Sequence, residues 1–267
     1  MLSFHELVRG FRSLELNPET PILVHTSVRS FGDIRGGVDS LLGALLAVQP
    51  HVMVPTHTYK SMIIPEDGPE GNGLRYGSGT DLNTMAEFYT PEMPADPLMG
   101  RFPEAVRSLD QARRSNHPLL SFAGVGVEDL LDAQTIVEPL APIRKLVEQD
   151  GWVLLMGVDQ TVNTSIHYAE KLARRRQFVR WALTPQGVIE CPGFPGCSLG
   201  FEQAAPYLAD ATRRVQLGNA TLQAIPLTNM IGIVVGLIHE NPLALLCDDR
   251  ECLRCSAVRD AVIAQER

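Results

Sequence analysis

His167 and Glu170 stand three residues apart, a spacing that puts both side chains on one face of a helix. Histidine is the side chain that takes up and releases a proton near neutral pH without a shifted pKa. A carboxylate on the same face can orient its ring or attract a cationic substrate. The plain alternative is a histidine in the first turn of a helix with structural hydrogen bonds only. A second grouping is made of thiols. Cys247-x4-Cys252-x2-Cys255 has the short spacing of a zinc site, which needs about four ligands in tetrahedral geometry. The chain supplies three in this run, and Cys197, or else Cys191, is the fourth; ordinary reduced thiols are the alternative. A third grouping, Ser27, Arg29 and Ser30, lies between a strand and a helix, where backbone N–H groups and a guanidinium can receive phosphate. An ordinary strand-to-helix loop with a capping serine is the alternative there. Thr56, His57 and Thr58 follow a strand end, the place where α/β folds put ligands.

The elements that position these groups follow from the apolar pattern. Helices are expected over Phe4 to Leu14, Val38 to Val48, Val127 to Leu131, Ala141 to Gln149 and Asn163 to Ala173, the last capped by Asn163 or Thr164. Strands are expected over Pro21 to His25, His51 to Pro55, Ser121 to Gly126 and Trp152 to Gly157. Phe178 to Leu183 and Val188 to Cys191 read as a hairpin across Thr184-Pro185-Gln186-Gly187. The first two strands and the helix between them form a βαβ unit, which is normally parallel. Thr56 to Asn83, rich in Gly and Pro, has no period and reads as a long functional loop. The remainder reads as helical, broken near Gly218-Asn219. The expectation is one three-layer α/β/α domain over residues 1–267 with a mixed central sheet and a Cys-containing extension from about residue 240.

Composition narrows the classes. The 267 residues carry 23 Lys+Arg against 31 Asp+Glu, a net charge of −8, with 45% hydrophobic and 20% charged residues. That balance excludes bulk disorder, argues against nucleic acid as a partner and favours a cationic small molecule. The longest apolar run, Met230 to Ile238, is shorter than the ~20 residues of a membrane span. Glu6, Arg9 and Arg12 interrupt any signal-peptide core, so the cytoplasm is the expected location. Five cysteines, an odd number, argue against a disulfide framework. His117 before Pro118 reads as a turn element, and His25 as a satisfied core histidine. Lys171, Arg174, Arg175, Arg176 and Arg180 read as a solvated basic face.

Three stretches in register carry a resemblance. They are Val24-His25-Thr26-Ser27-Val28-Arg29-Ser30-Phe31-Gly32 with Val54-Pro55-Thr56; Met99 to Arg107 with Arg114-Ser115-Asn116-His117-Pro118 and Ser121-Phe122-Ala123; and Leu154 to Val158 with Asn163-Thr164…His167…Glu170. Over roughly residues 20 to 225 the chain resembles the aminoglycoside 3-N-acetyltransferase family. The resemblance implies acetyl-CoA-dependent N-acetylation of an amine, on a mixed α/β fold unlike the common acetyltransferase fold. An amine must lose its proton before it attacks a thioester, and the family's general base carries over to His167, with Glu170 beside it. The CoA groove carries over to Ser27, Val28, Arg29, Ser30 and Phe31, bordered by Arg114, Ser115 and His117, with Ser121 close by in sequence. Thr56, His57, Asn163 and Thr164 are then the substrate-binding residues. The acceptor is a small-molecule amine, an aminoglycoside or another. The loop from Thr56 to Asn83 carries few acids, and the cysteine tail departs from the family pattern. The competing class is a metal-binding or interaction protein that keeps the fold without the chemistry. A metallohydrolase is weaker, since no H-E-x-x-H set is present.

Overall fold

The computed structural model describes residues 1–265. In chain order, α1 (Phe4–Arg12) leads to β1 (Ile22–Thr26), α2 (Gly37–Leu46), β2 (Val52–Pro55), the short β3 (Met62–Ile63) and α3 (Thr80–Thr84). Then come α4 (Arg101–Arg107), β4 (Arg113–Arg114), β5 (Phe122–Val125), α5 (Glu128–Asp132), α6 (Ala141–Glu148) and β6 (Trp152–Met156). The last third holds α7 (Thr164–Leu172), β7 (Phe178–Thr184), β8 (Gly187–Phe194), α8 (Ala205–Leu208), β9 (Arg213–Leu217), β10 (Ala220–Pro226), α9 (Leu227–Glu240) and α10 (Leu253–Gln265).

Seven strands form a mixed sheet in the order β4-β5-β2-β1-β6-β10-β9. β1 runs parallel to β2 and to β6, and the outer strands pair antiparallel. Because side chains alternate along a strand, Ile22, Val24, Leu154 and Met156 enter one core, and Leu23, Val153 and Leu155 the other. Leu7 and Phe11 of α1, Leu41 and Leu45 of α2 and Phe102 of α4 cover the first face. Ile143 of α6, Ile166 and Ala169 of α7 and Met230 and Val234 of α9 cover the second. Strands buried on both faces read as continuous apolar runs, which is why the central strands were legible. At about 1.5–3 kcal/mol per buried Leu, Val or Ile side chain, these two faces hold the domain together.

Two regions differ from the sequence expectation. The stretch around Gly218-Asn219 is not a break between helices. It is the two-residue turn of an antiparallel hairpin, with Ala220 opposite Leu217 and Gly218 at φ +61°. Burial of Ala220, Leu222 and Ala224 around an exposed Thr221 is the period of a strand, and Gly-Asn is a hairpin turn signal. The segment from Thr56 to Asn83 contains β3 and the start of α3. Asn72 pins it to β7, accepting the Val179 N–H (2.8 Å) and donating to Val179 O (3.0 Å).

β3, β7 and β8 form a second sheet. Phe178, Ala182, Cys191 and Phe194 of its hairpin pack with Cys255, Ala257 and Val258 of α10 in a third core. No helix among the described residues is long and apolar enough to cross a membrane.

Gly157 ends β6 at φ +66°, and a Cβ there would lie 2.4 Å from Ser30 Cβ. Gly157→Ala is expected to cost about 1–3 kcal/mol of stability, seen as a lower urea midpoint at unchanged slope. An unaltered midpoint would mean that this close approach is not required.

Candidate active site

β1 and β6 run side by side, and their carboxyl ends open on a cleft of about 1700 Å³. The helix that follows β6 carries the chemistry. Asn163 caps it, accepting the Ser165 N–H at Oδ1 (3.1 Å). The Asn163 amide is itself held by Gln160 Oε1 (2.8 Å) and Met230 Sδ (3.2 Å). His25, at the end of β1, accepts the Thr164 N–H at Nε2 (3.3 Å), so this histidine also braces the first turn of α7. The first turn of α7 is thereby tied to the sheet.

His167, one turn in, faces the cleft and packs edge-on against Phe201, with ring centroids 4.7 Å apart. Its Nδ1 is 2.7 Å from Glu170 Oε2. A carboxylate accepts, so Nδ1 carries the proton, and in the neutral ring Nε2 is the nitrogen left with the lone pair. Glu170 is 2% exposed, contrary to the usual solvent-facing acid on a helix. Its second oxygen, Oε1, accepts from Arg175 Nη1 at 2.9 Å. Arg175 in turn donates through Nη2 to the carbonyls of Pro242 (2.8 Å) and Ala244 (2.7 Å). A four-part relay thus runs from the α9–α10 connection to the imidazole.

The basic run after α7 is therefore not one solvated face. Lys171 reaches Glu138 and Arg176 reaches Glu70 O, but Arg175 and Arg180 are buried. The chain turns at Arg174, which adopts φ +60°, and this folds Arg175 back under the helix. Spacing alone gave no sign of it, because i+5 is not a helical neighbour of Glu170.

The other candidate residues divide. Ser27, Val28, Arg29, His57, Asn163 and Thr164 line the same cleft as His167. Ser30 turns away, donating to Gly157 O at 2.7 Å, and Phe31 is core. Arg114 is spent inside the protein, on Ser121 Oγ (3.1 Å), Thr56 O (2.7 Å), Pro91 O (3.1 Å) and Met93 O. Ser115 closes a loop on Phe122 N–H (2.8 Å) and Phe122 O (3.2 Å). His117 Nδ1 accepts from the N–H groups of Leu119 (3.1 Å) and Leu120 (3.0 Å). Thr56 Oγ1 and Ser121 Oγ meet at 3.2 Å. Arg114, Ser115, His117, Ser121 and Thr56 thus form the wall's internal bracing and are absent from its lining.

Four of the five thiols gather in one cluster. Cys197, Cys247, Cys252 and Cys255 offer sulfurs that all lie within 4.8 Å of one another. A tetrahedral zinc–thiolate site, at about 2.3 Å per bond, puts its sulfurs roughly 3.8 Å apart. Cys191 lies outside the cluster, and burial pushes its thiol up to about 12.

The family model described as aminoglycoside 3-N-acetyltransferase matches residues 23–239. The chain belongs to this family. Among curated relatives, aminoglycoside N(3)-acetyltransferase IX of Micromonospora chalcea is 30% identical over 179 residues, 60% of this chain and 59% of that protein. The SPbeta prophage-derived aminoglycoside N(3')-acetyltransferase-like protein YokD of Bacillus subtilis (strain 168) is 27% identical over 171 residues, 61% of this chain and 63% of that protein. The chain thus spans about three-fifths of the length of these relatives. Among solved structures, the apoenzyme of aminoglycoside acetyltransferase AAC(3)-IVa shares the fold at a TM-score of 0.77, with 24% identity and 97% of each chain covered. AAC-IIIb, solved as a binary complex with CoASH, gives 0.71 at 20% identity, covering 90% of this chain and 97% of that one. The family match spans β1 to α9 and so includes His167, Glu170 and Cys197, whereas Cys247, Cys252 and Cys255 lie beyond it.

Burial holds three histidines uncharged in and behind the cleft wall: His25 down to about 3, His57 to about 3 and His117 to about 4. In the unfolded chain each titrates near 6.5, so below that pH the unfolded state binds more protons and stability falls with acidification. Each histidine contributes a slope of at most about 1.4 kcal/mol per pH unit between pH 6.5 and its folded pKa. The melting temperature should therefore drop steadily from pH 6.5 towards 4, and His57→Gln should flatten that drop. Equal slopes in the two proteins would contradict the burial argument.

Proposed function

We propose that this protein transfers the acetyl group of acetyl-CoA to a primary amine, with His167 as the general base. One observation carries the reading: a histidine whose Nδ1 is fixed by a buried, arginine-backed carboxylate and whose ring faces a cleft. In the step, Nε2 of His167 takes a proton from the amine as its nitrogen attacks the thioester carbonyl. The C–S bond breaks, CoA leaves as thiolate and takes up a proton, and an amide forms. Glu170 holds the ring and stabilises the imidazolium, the part a buried carboxylate plays behind a catalytic histidine. Ser27, Val28 and Arg29 at the β1 end receive the CoA arm, with the guanidinium on phosphate. His57, Asn163 and Thr164 border the acceptor. AAC-IIIb with CoASH and AAC-VIa bound to sisomicin share the fold and support this assignment. The work belongs in the cytoplasm, where the five thiols stay reduced.

Cys197, Cys247, Cys252 and Cys255 hold one structural zinc on the same reading. Four thiols converge within 4.8 Å of one another, and four thiolates are the ligand set of a closed tetrahedral zinc site. The base lies outside this set, so the metal takes no part in the transfer.

A thiol-release assay with acetyl-CoA and a panel of amines tests the first assignment. His167→Ala should remove turnover while leaving the melting temperature close to that of the parent. Glu170→Gln should lower kcat by about 10²–10⁴-fold. Full activity in His167→Ala would sink the base assignment. For the metal, protein purified without chelator should contain one zinc per chain. No zinc, together with five freely titrating thiols, would sink that assignment.

A further inference from the structure

The four-thiol cluster is tied to the base as well as to the cleft. Cys247 comes three residues after Ala244, on the connection whose Pro242 and Ala244 carbonyls hold Arg175. Gln203 clamps the same connection, donating through Nε2 to Leu246 O (3.0 Å). Cys197 lies between Gly196 and Ser198, both of which line the cleft. Arg254, between Cys252 and Cys255, lines it too and donates to Gly196 O (2.9 Å). The cluster thus anchors three segments: the loop over residues 194–199, the start of α10, and the segment that backs Arg175, Glu170 and His167.

The four cysteines are not equally open to reagents. Cys197 and Cys247 are 5% exposed and Cys255 1%, whereas Cys252 is half-buried. Cys252 directly precedes the 13-residue α10, and its carbonyl accepts the Ser256 N–H (2.9 Å) that opens this helix. A thiolate at a helix N-terminus is stabilised by the positive end of the dipole, and the thiolate is the form that reacts. Cys255 sits one turn in and completes a C-x-x-C run. Cys247 Sγ and Cys255 Sγ are 3.4 Å apart, and all four sulfurs lie within 4.8 Å of one another. An accessible thiolate with other sulfurs beside it to resolve it is the arrangement of a redox-sensing cysteine.

We infer that Cys252 is an oxidation site for hydroperoxides, and that its oxidation releases the metal and switches the transfer off. The inference rests on the zinc and transfer readings above. The Cys252 thiolate attacks the peroxide and becomes a sulfenic acid, while the O–O bond breaks and the other oxygen leaves, protonated, as water or alcohol. A neighbouring cluster thiolate then attacks that sulfur. The S–S bond forms, the S–O bond breaks, and the hydroxide takes up a proton as water. The sulfurs lose two electrons and the peroxide gains two. Two of the zinc ligands are consumed, and the ion departs from a site that needs about four. The loop over 194–199 and the segment over 242–247 then lose their common anchor, so Arg175, Glu170 and the His167 ring lose their backing. A dithiol reductant with zinc reverses the change.

Treatment of the full chain with hydrogen peroxide, stopped with catalase, tests it. One zinc per chain should be released as two thiols disappear into a disulfide that contains Cys252, read by zinc assay, thiol count and peptide map. Turnover with acetyl-CoA should fall in step with the zinc, by about tenfold or more, and return with dithiothreitol and zinc. Cys252→His still offers zinc a ligand, so it should lose metal and activity about tenfold more slowly, each against its own untreated sample. Cys191→Ser should respond like the parent. Hydrogen exchange reads the coupling without turnover and should quicken over residues 194–199 and 242–247 of the oxidised protein. A disulfide that omits Cys252, or one that forms with activity and exchange unchanged, would overturn the inference. So would activity lost while zinc and thiols stay in place. If Cys252→His fails to fold, the parent's peptide map and its parallel time courses still decide. Protein that purifies without zinc sinks the zinc reading alone, and the peptide map and exchange then decide the oxidation site. Should no amine release thiol, the transfer reading fails by itself, and zinc release with exchange decides.

Discussion

The carboxylate of Glu170 is the group on which the architecture of the cleft turns. Each of its two oxygens has a separate task, Oε2 for His167 and Oε1 for Arg175. Removing a carboxylate and a guanidinium from water costs several kcal/mol per ion, which mutual attraction and further hydrogen bonds must offset. Here the further bonds come from the Pro242 and Ala244 carbonyls on one side and the His167 ring on the other. Losing either partner leaves the other charge buried alone, a penalty of about 3–5 kcal/mol. Stability and ring orientation are thus invested in the same contact, and α7 is buried for most of its length because it must present both ends of it.

Around this centre the cleft has two walls of different origin. One is the mixed sheet, with β1 and β6 presenting the Ser27–Arg29 loop and the cap of α7. The other is the hairpin module, whose loop at Phe194–Leu199 and residue Arg254 complete the lining. The thiol cluster joins that loop to α10, since Cys197 comes from the one and Cys255 from the other. Arg254 lies between two of the four cysteines and donates to Gly196, next to a third. Whatever fixes the cluster therefore fixes this part of the lining. Most of the family match covers the sheet side, and α10 lies past its last residue.

Most of the central fold was legible because β1, β2 and β6 are buried on both faces and read as unbroken apolar runs. His167 and Glu170 were legible as a pair because three residues is a helical spacing. The β9–β10 hairpin is hidden although its signal is present: Gly218-Asn219 reads as a helix break and is a turn between strands. Arg175 and Arg180 were unreadable for a different reason. A charge run looks the same whether it meets water or a buried partner. Only the left-handed residue at Arg174 and the distant Pro242, Ala244 and Asn72 carbonyls make the difference. Arg114 and Ser115 show the converse, since a motif that reads as site-bordering is consumed in bracing the backbone.

Arg175 takes its last two hydrogen bonds from carbonyls that lie 67 and 69 residues further along the chain. A growing polypeptide therefore possesses its histidine and its carboxylate well before it can hold them in register. Until Ala244 has been synthesised and has folded back, Arg175 is short of two acceptors. The contact that backs the base is therefore completed by a part of the chain made long after the base itself.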